Sequence, residues 1–159
     1  MRSPDYEEFV ASLNAHGVRY LLIGAHAVAF HARPRATKDL DVLVEPSDEN
    51  AERVLAAVRD FFGGAELAID VSDLTTSENV IQLGIWPQRI DLMTSMMSGQ
   101  SFEELWRNRV RGAFGDEETQ YISLADLLAG KERSDRLQDQ ADAESLRRVG
   151  SSGGESEES

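Results

Sequence analysis

Tyr20-Leu-Leu-Ile-Gly24-Ala-His-Ala-Val-Ala-Phe-His-Ala-Arg-Pro-Arg-Ala-Thr-Lys-Asp39-Leu-Asp41-Val-Leu-Val44 decides how the rest of the chain is read. An apolar run ends at Gly24, a small-residue segment follows, then a basic turn, then two carboxylates one residue apart. In a strand, side chains at i and i+2 share a face, with Cα atoms about 6.6 Å apart. Two carboxylates so placed can grip a pair of divalent cations, which in two-metal sites stand about 3.5–4 Å apart. Leu40, Val42 and Val44 take the opposite face, and Leu43 continues the Asp face into the core. Packing alone gives a core strand no reason to begin with two acids.

On either side of this stretch, the expected elements alternate. Ser3-Pro4 opens a first helix, with proline at its first position and Asp5, Glu7 and Glu8 in the first turn. Tyr6, Phe9, Val10 and Leu13 recur at helical spacing, and Gly17 stops the run. Residues 18–23 read as a strand, 25–32 as a short helix ended by Pro34, and 39–45 as a strand closed by Pro46. Ser47 caps a third helix with Val54, Leu55, Val58 and Phe61-Phe62 on one face and Gly63-Gly64 beyond its end. Residues 65–78 mix alternation with polar interruptions and yield no assignment. Strands follow at 80–85 and 89–93, joined by a hairpin-like turn. Ser101 with Glu104 opens a helix expected to reach residue 110, 119–122 is a short strand, Ser123 caps another helix, and a last helix spans 136–149.

Composition bounds the answer. The 159 residues suffice for one domain with a real core, and 41% apolar content is that of a globular chain. No apolar run reaches a membrane span, and the start lacks a signal-peptide pattern, so a cytoplasmic protein without membrane partners is expected. Cysteine is absent, which excludes disulfides and thiolate metal sites. A net charge of −13 argues against a chain that coats nucleic acid. Up to Lys38 the balance is +2, with Arg33, Arg35 and Lys38 immediately before the paired acids. A small cationic patch beside carboxylates suits a nucleoside triphosphate with its metal better than a long polymer. His16, His26 and His31 lack zinc spacing and are expected to pack or to lie on the polar surface. Residues 1–149 form the expected domain. The Gly-Ser-Glu tail at 150–159 has no large apolar residue and is expected to be disordered.

The motif set resembles the nucleotidyltransferase superfamily, in the branch of abortive-infection AbiEii-type proteins. The matching positions are Gly24, Ala25, Ala27, His31, Arg35, Thr37, Asp39 and Asp41, with Ala25 where the branch has a second glycine. Toward the C-terminus Lys131, Arg136, Asp139, Asp142 and Leu146 also match, while Gln138 replaces a lysine. The resemblance implies an α/β fold, with a mixed sheet, helices packed on one side and C-terminal helices over the nucleotide. It calls for a third acid on a neighbouring strand, and Asp91 in Arg89-Ile-Asp-Leu-Met93 fits.

On this resemblance Asp39, Asp41 and Asp91 hold two Mg²⁺ ions, or Mn²⁺, and carry catalysis. Gly24, Ala25, Arg35, Thr37, Lys131 and Arg136 bind the nucleotide. The implied reaction moves a nucleotidyl group from an NTP to a hydroxyl acceptor, RNA or protein, with pyrophosphate leaving. The branch further implies a cognate toxin or antitoxin partner. The alternative reading is a degenerate member of the same fold that binds nucleotide or a partner without turnover, and Ala25 and Gln138 are the substitutions that favour it.

Overall fold

The structure is a computed structural model that describes residues 4–32, 39–84, 89–96, 99–132 and 137–158, with side chains over 6–32, 39–84, 89–96, 99–132 and 139–150. Helix α1, Pro4–Ala15, places Tyr6, Phe9, Val10 and Leu13 in the core, and Gly17 supplies the positive φ of +67° that turns the chain into β1, Tyr20–Ile23. All four β1 residues are buried. Helix α2 spans Gly24–His31 and strand β2 spans Asp39–Val44. Helix α3, Asp48–Phe61, begins at Ser47, whose side chain accepts from the Asn50 amide.

Residues 65–78, unassigned by pattern, contain a one-turn helix, α4, Val71–Thr75. Its signal is polar: the Asp70 carboxylate accepts from the Asp73 amide while the Asp73 carboxylate accepts from the Asp70 amide. Such reciprocal capping fixes a helix start without an apolar stripe. Strands β3, Val80–Leu83, and β4, Arg89–Met93, pair antiparallel as the sequence predicts. Helix α5, Phe102–Arg107, starts at Ser101, which accepts from the Glu104 amide.

The expected helix to residue 110 ends early. Val110–Phe114 is strand β5, paired antiparallel with β6, Glu117–Tyr121. Gly115, at φ +63°, makes the two-residue turn, and alternation in Val110-Arg-Gly-Ala-Phe114 overrides helical continuation. Helix α6, Leu124–Glu132, follows Ser123, whose hydroxyl accepts from the Asp126 amide. Helix α7 runs Leu137–Glu158, so its backbone carries through the Gly-Ser-Glu segment that composition predicts to be disordered.

The six strands form one mixed sheet in the order β3-β4-β2-β1-β6-β5. β1 is antiparallel to β2 and parallel to β6, and β2 is parallel to β4. The parallel β2–β4 pair makes the site, because residues in register on neighbouring strands share a face. Asp39 lies beside Arg89, Asp41 beside Asp91, and Leu43 beside Met93, while Leu40, Val42, Ile90 and Leu92 bury on the other face. Among the described residues no helix is long and apolar enough to cross a membrane.

Asn50, fully buried at the start of α3, ties the helix to the sheet. It accepts from the Arg19 amide at 2.8 Å and donates to the Arg19 and Glu45 carbonyls at 2.9 and 3.0 Å. Each buried backbone group left unpaired costs about 1–3 kcal/mol. Asn50→Ala is therefore expected to destabilise the fold by about 2–4 kcal/mol in urea denaturation, and a loss below about 1 kcal/mol would show that water replaces these bonds.

Candidate active site

Gly24 and Asp41 meet at the join of β1 and α2. Gly24 has φ +70°, and a Cβ built on it would lie 2.1 Å from Asp41 Oδ2 and 3.0 Å from Asp41 Cβ. Only glycine tolerates both the left-handed backbone and that approach. The register explains the contact: Ile23 pairs with Asp41, so the chain leaving β1 passes directly over the Asp41 carboxylate.

Asp91 comes to the same place from β4, with only 6% of its surface exposed. The three sequence-predicted carboxylates thus share one face at neighbouring positions, although 50 residues separate Asp41 from Asp91. Arg89, which sequence reasoning left out, lies between them. Its Nη2 is 3.1 Å from Asp39 Oδ2 and 3.4 Å from Asp91 Oδ2. Its Nε approaches Asp91 Oδ1 to 3.1 Å but off the hydrogen-bond axis, so both atoms are buried without a hydrogen bond. The available signal was spacing: Arg89 precedes Asp91 by two residues and must share its face. Tyr6 closes this end of the site, its hydroxyl donating to the Arg89 carbonyl at 3.2 Å. Burial and the neighbouring Asp39 charge push the Tyr6 hydroxyl above its ordinary pKa. Nothing in the spacing of the first helix distinguishes Tyr6 from its other core residues.

Charge crowding leaves its mark on Asp41. Burial, then repulsion from Asp91 and Asp39, raises its pKa to about 6, against the opposing pull of Lys131 and Arg89. Burial also raises Asp91, with Arg89 opposing.

Lys131 on α6 stands on the far wall. Its Nζ donates to Asp139 at 2.8 Å and lies 3.4 Å from Asp142, both buried on α7. The C-terminal motif is therefore not an exposed charged helix: Lys131 joins α6 to α7, and Leu146 is fully buried. A cavity of about 500 Å³ opens between these walls, lined by Gly24, Asp41, Val80, Met93, Lys131 and Asp139 among others. Ala25 follows Gly24 in the first turn of α2. Arg35, Thr37 and Arg136, read from sequence as nucleotide ligands, lie outside the described residues, as does the side chain of Gln138. His26 packs edge-on against Tyr6 and Phe114, and His31 contacts the Ile122 carbonyl at 2.7 Å.

Three carboxylates suit a hard divalent cation. Asp91 Oδ1, buried and without an aligned donor, is the atom such a cation would satisfy. Among the described residues no three acid or histidine side chains stand in metal-holding geometry, because Asp39 and Asp91 are turned onto Arg89. The guanidinium now neutralises the charge that a metal would.

Two outcomes follow from this crowding. The folded state favours protonated Asp41, so the contribution of Asp41 to stability falls as pH rises from about 4 to about 6 and stays low above that. Asp41→Asn is expected to be more stable than wild type by about 1–3 kcal/mol at pH 7.5, with the gap gone below pH 4. Thermal melts across pH check this, and a pH-independent difference would contradict it. Gly24→Ala is expected to cost about 2 kcal/mol or more, and Asp41→Ala is expected to restore part of that loss. Strictly additive melts of the double variant would show that the two residues do not touch.

No family model matches the chain, and no curated protein matches it. Solved structures do. A protein of Thermotoga maritima, provisionally described as a nucleotidyltransferase, superposes with a TM-score of 0.57 at 16% identity, covering 93% of this chain and 94% of that one. The lincosamide antibiotic adenylyltransferase LnuA, in its lincomycin-bound form, superposes with a TM-score of 0.56 at 12% identity, covering 94% of this chain and 98% of that one. The chain has the fold of these nucleotidyltransferase structures, over almost its full length.

Proposed function

We propose that the protein is a metal-dependent nucleotidyltransferase that moves a nucleotidyl group from an NTP to a hydroxyl acceptor. One observation carries the reading: Asp39, Asp41 and Asp91 converge on one face of a parallel strand pair, beneath a glycine that has no room for a side chain. The shared fold with nucleotidyltransferase structures supports it.

Asp39, Asp41 and Asp91 would hold Mg²⁺ or Mn²⁺, which when bound neutralises phosphate charge and activates the attacking oxygen. The acceptor hydroxyl attacks the α-phosphorus, the bond from that phosphorus to the bridging oxygen breaks, and pyrophosphate leaves. The hydroxyl proton passes to the Asp91 carboxylate. Asp41, with a pKa of about 6, is about nine-tenths ionised at pH 7 and able to take up cationic charge. Lys131 places positive charge on the wall facing Asp41, where triphosphate oxygens would lie, and Asp139 and Asp142 hold its ammonium in position. The N-terminus of α2 offers amide N–H groups beside Gly24. Membership of the abortive-infection branch, with a toxin or antitoxin partner, belongs to the same proposal and rests on the sequence motifs.

The test is incubation with each α-labelled NTP, Mg²⁺ or Mn²⁺ and a cell lysate. Wild type should transfer label in a metal-dependent manner. Asp41→Asn should lower the rate by about 10³-fold or more, as loss of a group stabilising transition-state charge does, and Lys131→Ala by about tenfold or more. Metal-dependent NTP binding without any labelled product would favour the non-catalytic reading, and equal labelling by Asp41→Asn would remove the proposed site.

A further inference from the structure

Arg89 occupies the oxygens of two acids at once. Its Nη2 lies 3.1 Å from Asp39 Oδ2 and 3.4 Å from Asp91 Oδ2, and its Nε lies 3.1 Å from Asp91 Oδ1. Strand register makes this reach unavoidable. Arg89 stands beside Asp39 on the neighbouring strand and shares a sheet face with Asp91 two residues on. A cation held by these carboxylates would meet the guanidinium at the same oxygens. Two positive charges there repel, so the guanidinium and a divalent cation exclude one another.

The Arg89 backbone is pinned. β4 lies between β2 and β3 in the sheet, and the Tyr6 hydroxyl donates to the Arg89 carbonyl at 3.2 Å. The side chain is less confined. It is 38% exposed and the Asp39 side chain 37%, whereas Asp91 is buried, so the way to solvent lies past Asp39. The grip on Asp91 is also incomplete. Arg89 Nε and Asp91 Oδ1 are close but misaligned, and each is buried without a hydrogen bond. Atoms that lose water and gain no bond weaken the pair. A guanidinium with both bonds of its fork aligned would hold harder. The geometry is that of a side chain free to leave a backbone that stays.

We propose that Arg89 is a displaceable counter-ion: its guanidinium competes with a divalent cation for Asp39 and Asp91, and it swings out to solvent past Asp39 when the cation binds. This rests on the metal-dependent reading of the acid site and adds to it a resident competitor. Asp41 lines the cavity and forms no ion pair with Arg89 among the described residues, so it stays open to incoming charge. The competitor holds the other two acids together when no cation is bound. It also sets the metal concentration at which the site fills.

The experiment uses the full chain and Mg²⁺ alone, without nucleotide. In wild type, nuclear magnetic resonance follows the Arg89 Nε proton, which is buried beside Asp91. Saturating Mg²⁺ should bring that proton into much faster exchange with water, while the amides of residues 90–93 keep their protection. This measurement stands even where a variant fails to fold. In calorimetry Arg89→Gln should bind Mg²⁺ about tenfold tighter than wild type, as removal of a like charge from the site does. Arg89→Lys keeps the charge but loses the planar fork, and should fall between the two. An Nε proton unchanged at saturating Mg²⁺, or Arg89→Gln binding no tighter than wild type, would overturn the competition and leave the acid site standing. Arg89→Lys equal to wild type beside a tighter Arg89→Gln would overturn it too, since net charge alone would then explain the gain. No Mg²⁺ binding by wild type or either variant would instead remove the metal-dependent reading, and the competition with it.

Discussion

The site depends on the absence of one methyl group. Gly24 ends β1 and begins α2 at a point where the Asp41 carboxylate occupies the space a Cβ would need. Three constraints meet there: the antiparallel register of β1 on β2, the sharp exit of the chain at positive φ, and the inward aim of an acid from a strand that is apolar apart from Asp39 and Asp41. A larger residue would force either the helix away from the sheet or the carboxylate out of line with Asp91. The glycine that the sequence offers as a nucleotide-binding feature thus has a role in the protein itself before any ligand arrives.

Around that contact the protein manages an excess of buried negative charge. Asp39, Asp41 and Asp91 cannot all be ionised at close range without opposite charge nearby. Arg89 supplies it from the same sheet face, and Lys131 from the facing helix. Lys131 is itself held by Asp139 and Asp142, so acids outnumber bases in the assembly, and burial together with repulsion from Asp91 and Asp39 keeps the Asp41 pKa raised. An acid cluster that the fold only partly neutralises is what the proposed metal-dependent reading calls for. The same pairing of Lys131 with α7 gives the C-terminal helices a reason to pack over the cleft, since among the described residues of α7 only Ala143 and Leu146 are buried apolar anchors.

Where the pattern reading went astray, short-range and long-range signals had parted. Ser101 and Glu104 do open a helix, but nothing local marks its end at Arg107, because the following Val110-to-Phe114 strand is stabilised by pairing with β6 rather than by its own propensity. Helix α4 was missed for the opposite reason: it is held by two carboxylates and one buried leucine, with no apolar stripe to read.

The sequence by itself determined the strands and helices around the Gly24–Val44 stretch, the shared face of Asp39 and Asp41, and the candidacy of Asp91, because strand periodicity and turn chemistry are local properties. It also placed Lys131, Asp139 and Asp142 in one motif without saying what they do. Tertiary structure alone decided that Asp41 and Asp91 are register partners, that Arg89 and Tyr6 belong to the site, and that Lys131 pairs with α7. The physical reason is that strand order and register are set by how apolar faces bury across the whole chain. A parallel pair such as β2 and β4, separated by a helix-bearing crossover, leaves no local trace of which residues will stand side by side.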